Sequence, residues 1–323
     1  MKKKIFLFTA VFLMVVSAVV GIHLYTDHKA KQIVAEKEKT QSELAKLKKE
    51  TLQFLSKEHT SDEIEEVLIH AFEKLPERDC TDIVDTYIYG TYNTAAQFAL
   101  TDDETNTLYR YVISDGKFDF SQMEDGKLKT MIEDRSAQHI VLRYLNGAMY
   151  WDIDYGYFDK TFGKYVIPDY RDMIHFYAEE RTRSYYDDTS SKLYTDIVID
   201  RMEKAYQLTQ VYPDSDILYF MEDSYYFYKA AYLGAYAQDY IFKEGKIRTE
   251  IMDSYKKYKD TCSDPELASF LQELIKDYAE VDNTRTIPIY EKIKDFCGFY
   301  ISDTQSTESL EIVPKPENST GGQ

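Results

Sequence analysis

The stretch from Ile5 to Tyr25, IFLFTAVFLMVVSAVVGIHLY, limits what this chain can become more than any other feature. Lys2, Lys3 and Lys4 precede it, and no Asp, Glu, Lys or Arg interrupts it before Asp27. A helix rises about 1.5 Å per residue, so a run of this length covers about 30 Å, the hydrocarbon thickness of a bilayer. The chain is therefore expected to stay tied to a membrane or to have passed through one. Small residues at Val16-Ser17-Ala18 and Val19-Val20-Gly21 would suit a cleavable signal peptide and a secreted product. The apolar run exceeds the usual signal-peptide core and lacks polar spacing before either cut, which favours an uncleaved signal anchor. Lys29, Lys31, Lys37 and Lys39 on the other flank leave a simple charge count undecided. Translocating the three lysines at the start of the run is costly, however, so the amino terminus is expected inside and the remainder outside the cell membrane.

Behind this run, residues 27–59 are almost all Lys, Glu, Gln, Ala and Leu, without Gly or Pro. Such residues form helix readily, which predicts a charged helical stalk. Ile33, Leu44, Leu47, Phe54 and Leu55 give it a partial apolar stripe, and Thr40 and Thr51 weaken any heptad. A coiled coil joining two stalks into a homodimer is the sharper reading, and a single solvated helix the plainer one.

A folded domain is expected over 60–303. Thr60 with Glu63 and Thr101 with Glu104 match the capping box T-x-x-E, each opening a helix. Apolar residues at helical spacing run from Ile64 to Leu75, and Pro76 ends the segment. A further helix is expected from Asp82 to about Leu100. The middle of the chain then changes character. His139–Leu145 and a second run reaching Phe158 flank Asn146-Gly147, the strongest short-range signal for a β-hairpin. Lys164–Ile167 would extend that sheet. Helices are expected again at Tyr170–Tyr186, Ser191–Val211, Ser215–Phe242, Lys246–Thr261, Asp264–Val281 and Ile287–Tyr300, with Asp169, Asp214 and Asp264 as N-caps. The polar stretch 304–323 reads as a disordered tail. The fold class is thus mainly α: a transmembrane helix over 1–26 with its short cytoplasmic tail, the stalk, then an antiparallel helical domain with a small hairpin insertion.

Charge narrows the partners. The chain carries 57 acidic against 39 Lys and Arg residues, a formal net charge of -18. Nucleic-acid binding needs a basic footprint, so that class is excluded. Cys80, Cys262 and Cys297 are widely spaced and make no zinc pattern. Three buried small hydrophobes is the plain reading, and Cys262 with Cys297 is the pair to test for a disulfide.

Thirty tyrosines against one tryptophan is the most unusual compositional feature. Tyr232, Tyr236 and Tyr240 fall at i, i+4 and i+8, on one helix face, near Tyr225 and Tyr228. Rings supply contact area and hydroxyls direct polar contacts, so this helix is the candidate surface for a peptide or sugar partner. The simpler reading is that such side chains pack helix on helix with their tips in water. Asp152, Asp154 and Asp159 in DIDYGYFD resemble a cation cradle in spacing, but the positions that an EF-hand loop needs next hold the wrong residues. Glu66 with His70, and Asp172, His175 and Glu179, are weaker metal candidates on helices. No nucleophile elbow, P-loop or dinucleotide fingerprint occurs, and no cofactor is expected. The expected function is interaction: a membrane-anchored protein binding another protein or an envelope polymer. The alternative is an envelope-acting hydrolase using paired carboxylates, whose spacing is spatial and invisible in sequence.

Overall fold

The structure, a computed structural model, describes residues 29–298 other than 30, 114–116, 146–147, 188–190 and 236–237. The run Ile5–Tyr25, Asn146-Gly147, Tyr236 and the tail from Thr304 lie outside the described residues. Among the described residues, no helix is long and apolar enough to cross a membrane. The chain is mainly helical, with small antiparallel hairpins. It divides into two compact units, one ending at Thr86 and the other beginning at Tyr87.

The first unit begins with α1, residues 31–55, exposed on all sides as far as Glu43. Ion pairs one turn apart, Lys39 with Glu43 (4.0 Å) and Lys46 with Glu50 (3.7 Å), help an exposed helix by a few tenths of a kcal/mol each. From Leu44 onward the helix becomes partly covered, and Thr51 is buried. Lys48 fixes this end by reaching Asp79 (2.7 Å) and Asp82 (2.5 Å) of a later helix. Those two carboxylates, Asp79 foremost, hold its ammonium above the ordinary lysine range. Helix α2 (Ser61–Phe72) opens on the expected capping box: Thr60 N–H donates to Glu63 Oε2 at 2.9 Å, and Glu63 N–H to Thr60 Oγ1 at 3.3 Å. Leu68, Ala71 and Phe72 form the unit's core with Leu75, Cys80, Ile83 and Val84, the last three from α3 (Glu77–Ala96).

In the second unit, Thr101 and Glu104 repeat the capping box at the start of α4 (Asp102–Leu108). Helix α5 (Lys127–Ser136), unforeseen in the sequence, leads into the expected hairpin of β1 (Ile140–Leu145) and β2 (Ala148–Ile153). Ile140 pairs with Ile153 and Leu142 with Trp151, and side chains alternate across the sheet. This face therefore carries apolar residues inward, and Ile140 and Trp151 join Ala95, Leu108, Met123 and Ile132 in one core cluster.

β2 does not run on to Phe158. Asp154 accepts a hydrogen bond from Tyr157 N–H (3.3 Å) and so caps a new helix, α6 (Tyr155–Phe162). Residues 163–165 then form a single 3-10 turn instead of a strand. The remaining helices are α7 (Pro168–Glu180), α8 (Thr195–Val211), α9 (Leu218–Leu233), α10 (Gln238–Ile241), α11 (Thr249–Tyr258), α12 (Pro265–Glu280) and α13 (Ile287–Cys297). Two very short hairpins interrupt them: β3 (Tyr186–Asp187) with β4 (Lys192–Leu193), and β5 (Phe242–Lys243) with β6 (Lys246–Ile247). The expected helix Ser215–Phe242 is thus broken. Gly234, at φ +79°, ends α9 in the left-handed conformation, and its amide closes on Ala230 and Ala231. Asp264 caps α12 as expected, whereas Pro168 opens α7 behind Ile167 and Ile217 precedes α9.

Candidate binding cleft

The register that buries Ile140 and Trp151 turns Val141, Arg143, Tyr150 and Asp152 to the opposite face of the hairpin. That face forms one wall of a cleft of about 470 Å³. The C-terminal end of α7 and the residues after it (Glu180, Arg181, Arg183, Ser184, Tyr185), Arg201 of α8, and Phe227 and Tyr228 of α9 form another. Lys117, Phe118 and Phe120 complete the rim.

Its floor is a chain of charges. Arg181 Nε donates to Asp152 Oδ2 at 2.9 Å and its Nη1 to Glu180 Oε2 at 2.5 Å, while the guanidinium carbon lies 4.4 Å from the Tyr155 ring centre. Burial works against that charge, but Asp152 and Glu180 outweigh it and hold Arg181 above the ordinary arginine range. Tyr228 O–H donates to the other oxygen of Glu180. Arg201 Nη2 donates to the carbonyls of Glu180 (2.5 Å) and Arg183, the first an acceptor that the end of α7 leaves open. Arg143 Nη1 donates to the Arg181 carbonyl at 2.7 Å. Its Nε, 3.7 Å from Asp152 Oδ2, is buried without a hydrogen-bond partner. Burial, only partly offset by Asp152, pulls the Arg143 guanidinium below its ordinary range.

The tyrosines expected to form a binding face mostly point inward. Tyr232 is fully buried and Tyr228 is 1% exposed, with Tyr225 also buried. Their hydroxyls meet protein groups instead of water: Tyr225 donates to Asp264, Tyr228 to Glu180, and Tyr232 lies 2.8 Å from Ser254 Oγ. Tyr240 packs on Tyr186, ring centres 4.9 Å apart. What α9 does expose is the opposite stripe, Tyr219, Phe220, Tyr226 and Phe227, with Tyr219 at 73%. Phe227 belongs to both that stripe and the cleft.

The three aspartates do not converge on a cation. Asp152 serves the two arginines, Asp154 caps α6, and Asp159 Oδ2 lies 2.9 Å from His175 Nδ1. The helical candidates are likewise engaged: His70 with Lys74 (2.8 Å), Asp172 with Tyr212 (2.7 Å), and Glu179 with Lys204 (2.9 Å). Among the described residues, no group of three or more His, Cys, Asp or Glu is placed to hold a metal ion. All three cysteines are free thiols, with Cys80 and Cys297 buried.

Of the sequence candidates among the described residues, Asp152 and Tyr228 line the cleft. The arginines come from three separate parts of the chain, at 143, at 181 and 183, and at 201, so no local pattern in the sequence joins them. A usable signal was present: the chain has ten arginines against its many lysines, and one of them interrupts the β-branched run HIVLRYL. Comparisons with protein-family models, with curated proteins and with solved structures gave no match for this chain.

Proposed function

We propose that this chain is an interaction protein, held at a cell membrane by Ile5–Tyr25, whose second unit captures a protein or an envelope polymer in the cleft beside the hairpin. The observation that carries this reading is the charge of the cleft. Five cationic side chains line it against two carboxylates, in a chain whose net charge is -18. A cationic hollow in an acidic protein selects its ligands, because the surrounding surface repels the same anions that the hollow attracts. Aromatic residues on the rim, continuous through Phe227 with the exposed stripe of α9, add contact area for a larger partner. The exposed, charged helix that follows the apolar run supports a stalk, and the lysines before that run support an outside location.

A hydrolase using paired carboxylates is the second reading, favoured by the presence of Asp152 and Glu180 in one cleft. Both already accept hydrogen bonds from Arg181, and Glu180 accepts one from Tyr228 as well, which suits a structural part better than proton transfer. The test is photocrosslinking in intact cells with a reactive residue at Tyr150 in the cleft and, as control, at Lys276 on α12. Defined envelope material attached at Tyr150 alone supports the reading; no attachment, or equal attachment at both, overturns it. A cysteine added after Thr304, labelled by an impermeant reagent only after lysis, would reverse the proposed orientation.

A further inference from the structure

We infer that the cleft beside the hairpin is a phosphate-binding site, taking a phosphate mono- or diester carried on a body with an apolar or ring face. This rests on the binding reading above and names the chemistry of its ligand. Four of the ten arginines in the chain line this one cleft. Arginine is the cation that matches planar or tetrahedral oxyanions through paired N–H donors, and it keeps its charge when buried.

The cations divide into two sets. Arg181 and Arg201 are committed: one to Asp152 and Glu180, the other to the carbonyls of Glu180 and Arg183. Arg183 and Lys117 are left over, and Arg143, whose Nη1 holds the Arg181 carbonyl, is only partly engaged. Arg143 lies 3.7 Å from an Asp152 oxygen that Arg181 already holds at 2.9 Å, and its buried Nε has no hydrogen-bond partner. A buried donor left without an acceptor is costly, the more so when it belongs to a charged group, so an incoming acceptor would relieve that cost. Arg183 is exposed, lies 5.1 Å from the Tyr194 ring centre and has no carboxylate partner among the described residues; the same holds for the exposed Lys117 on the rim.

Two uncommitted cations and one partly engaged arginine around one hollow ask for more acceptor oxygens and more charge than one carboxylate offers. A phosphate supplies up to three terminal oxygens and as much as two negative charges. Phe118, Phe120, Tyr150 and Phe227 provide apolar and aromatic wall, so a bare ion would fill the polar part alone. The volume, about 470 Å³, lies in the range of small-molecule sites and accepts such a body along with the phosphate.

The test is calorimetric titration of the full chain in neutral detergent, at constant ionic strength, with inorganic phosphate, phenyl phosphate and benzoate. Saturable binding of phosphate is expected, with phenyl phosphate about tenfold tighter and benzoate about tenfold weaker than phenyl phosphate. The double variant Lys117→Ala, Arg183→Ala alters exposed side chains and is expected to keep its circular dichroism while losing about tenfold in affinity for both phosphates. Arg143→Gln is expected to do the same, with circular dichroism showing whether its fold survives. No saturable heat, equal affinity in wild type and double variant, or benzoate binding as tightly as phenyl phosphate would overturn the assignment. Crosslinking from Tyr150 separates the two claims: if it still captures envelope material when no phosphate binds, the phosphate assignment falls and the binding reading stands.

Discussion

Asp152 places one oxygen 2.9 Å from Arg181 Nε and 3.7 Å from Arg143 Nε, and the other 2.9 Å from the Ile153 amide. It is therefore the counter-charge to two partly buried arginine side chains from different elements. Such clusters add little over a well-packed apolar replacement, but removing one member strands the rest. Asp152→Asn, nearly isosteric, is expected to lower stability by about 3 kcal/mol in urea unfolding, whereas a loss of a few tenths would mean water already screens the cluster. The thiols make a second prediction at this scale. Burial pushes Cys80 and Cys297 up from an ordinary value of 9.0 to about 11, and raises the half-buried Cys262 as well. At pH 8 a thiol of pKa about 11 is ionised about one part in a thousand, so alkylation of the folded chain should strike Cys262 first and the other two only on unfolding. The unfolded chain loses these protons near 9 and the folded chain near 11. Their contribution to stability is thus complete below pH 9 and falls as pH rises to about 11.

Elements were legible where a local rule decides them. Thr60 and Thr101 mark helix starts because the cap and its glutamate sit three residues apart in any context. Asn146-Gly147 likewise located the hairpin between Ile140 and Ile153. Elements decided by one residue inside a strong pattern were misjudged. Asp152-Ile153-Asp154 alternates like a strand, yet Asp154 turns its carboxylate to a helix amide and ends the sheet. Glu244 and Gly245, both at positive φ (54° and 76°), make the tight turn joining β5 to β6, a length too short for periodicity to register. The tyrosine face was visible as a face, but an amphipathic ring does not say which way it points, and two of its hydroxyls found partly buried carboxylates. Glycines test this local control with opposite signs. At Gly234, φ is +79° and a Cβ would lie 3.0 Å from Ile241 Cγ1, so Gly234→Ala is expected to cost about 1–2 kcal/mol. Gly90, inside α3, has nothing within 4 Å, so Gly90→Ala is expected to stabilise by about 0.5–1 kcal/mol. Shifts of the urea midpoint in the same direction would show that backbone conformation is not the governing factor.

At the scale of the whole molecule the controlling quantity is the net charge of -18. Exposed pairs such as Lys39 with Glu43 and Lys204 with Asp200 attract, but pairs of this kind contribute only a few tenths of a kcal/mol each and salt weakens them. The carboxylates in excess of lysine and arginine have no cation to offset them, and folding brings them closer together. Salt screens both effects over a Debye length of about 10 Å at 0.1 M, so the sign of the response reports which is larger. The charge ratio of 57 to 39 makes repulsion the larger, and the partly buried Asp152–Arg181–Glu180 cluster is screened less than the exposed pairs. Raising NaCl from low concentration to physiological strength is therefore expected to raise Tm, by about 2–4 °C for each kcal/mol of repulsion relieved. A fall in Tm over that range would show that surface ion pairs outweigh the excess charge. In Asp152→Asn the same salt increment is expected on a lower Tm, since the lost cluster and the screened surface act independently. A larger increment in the variant would place Arg143 and Arg181 among the charges that salt can reach.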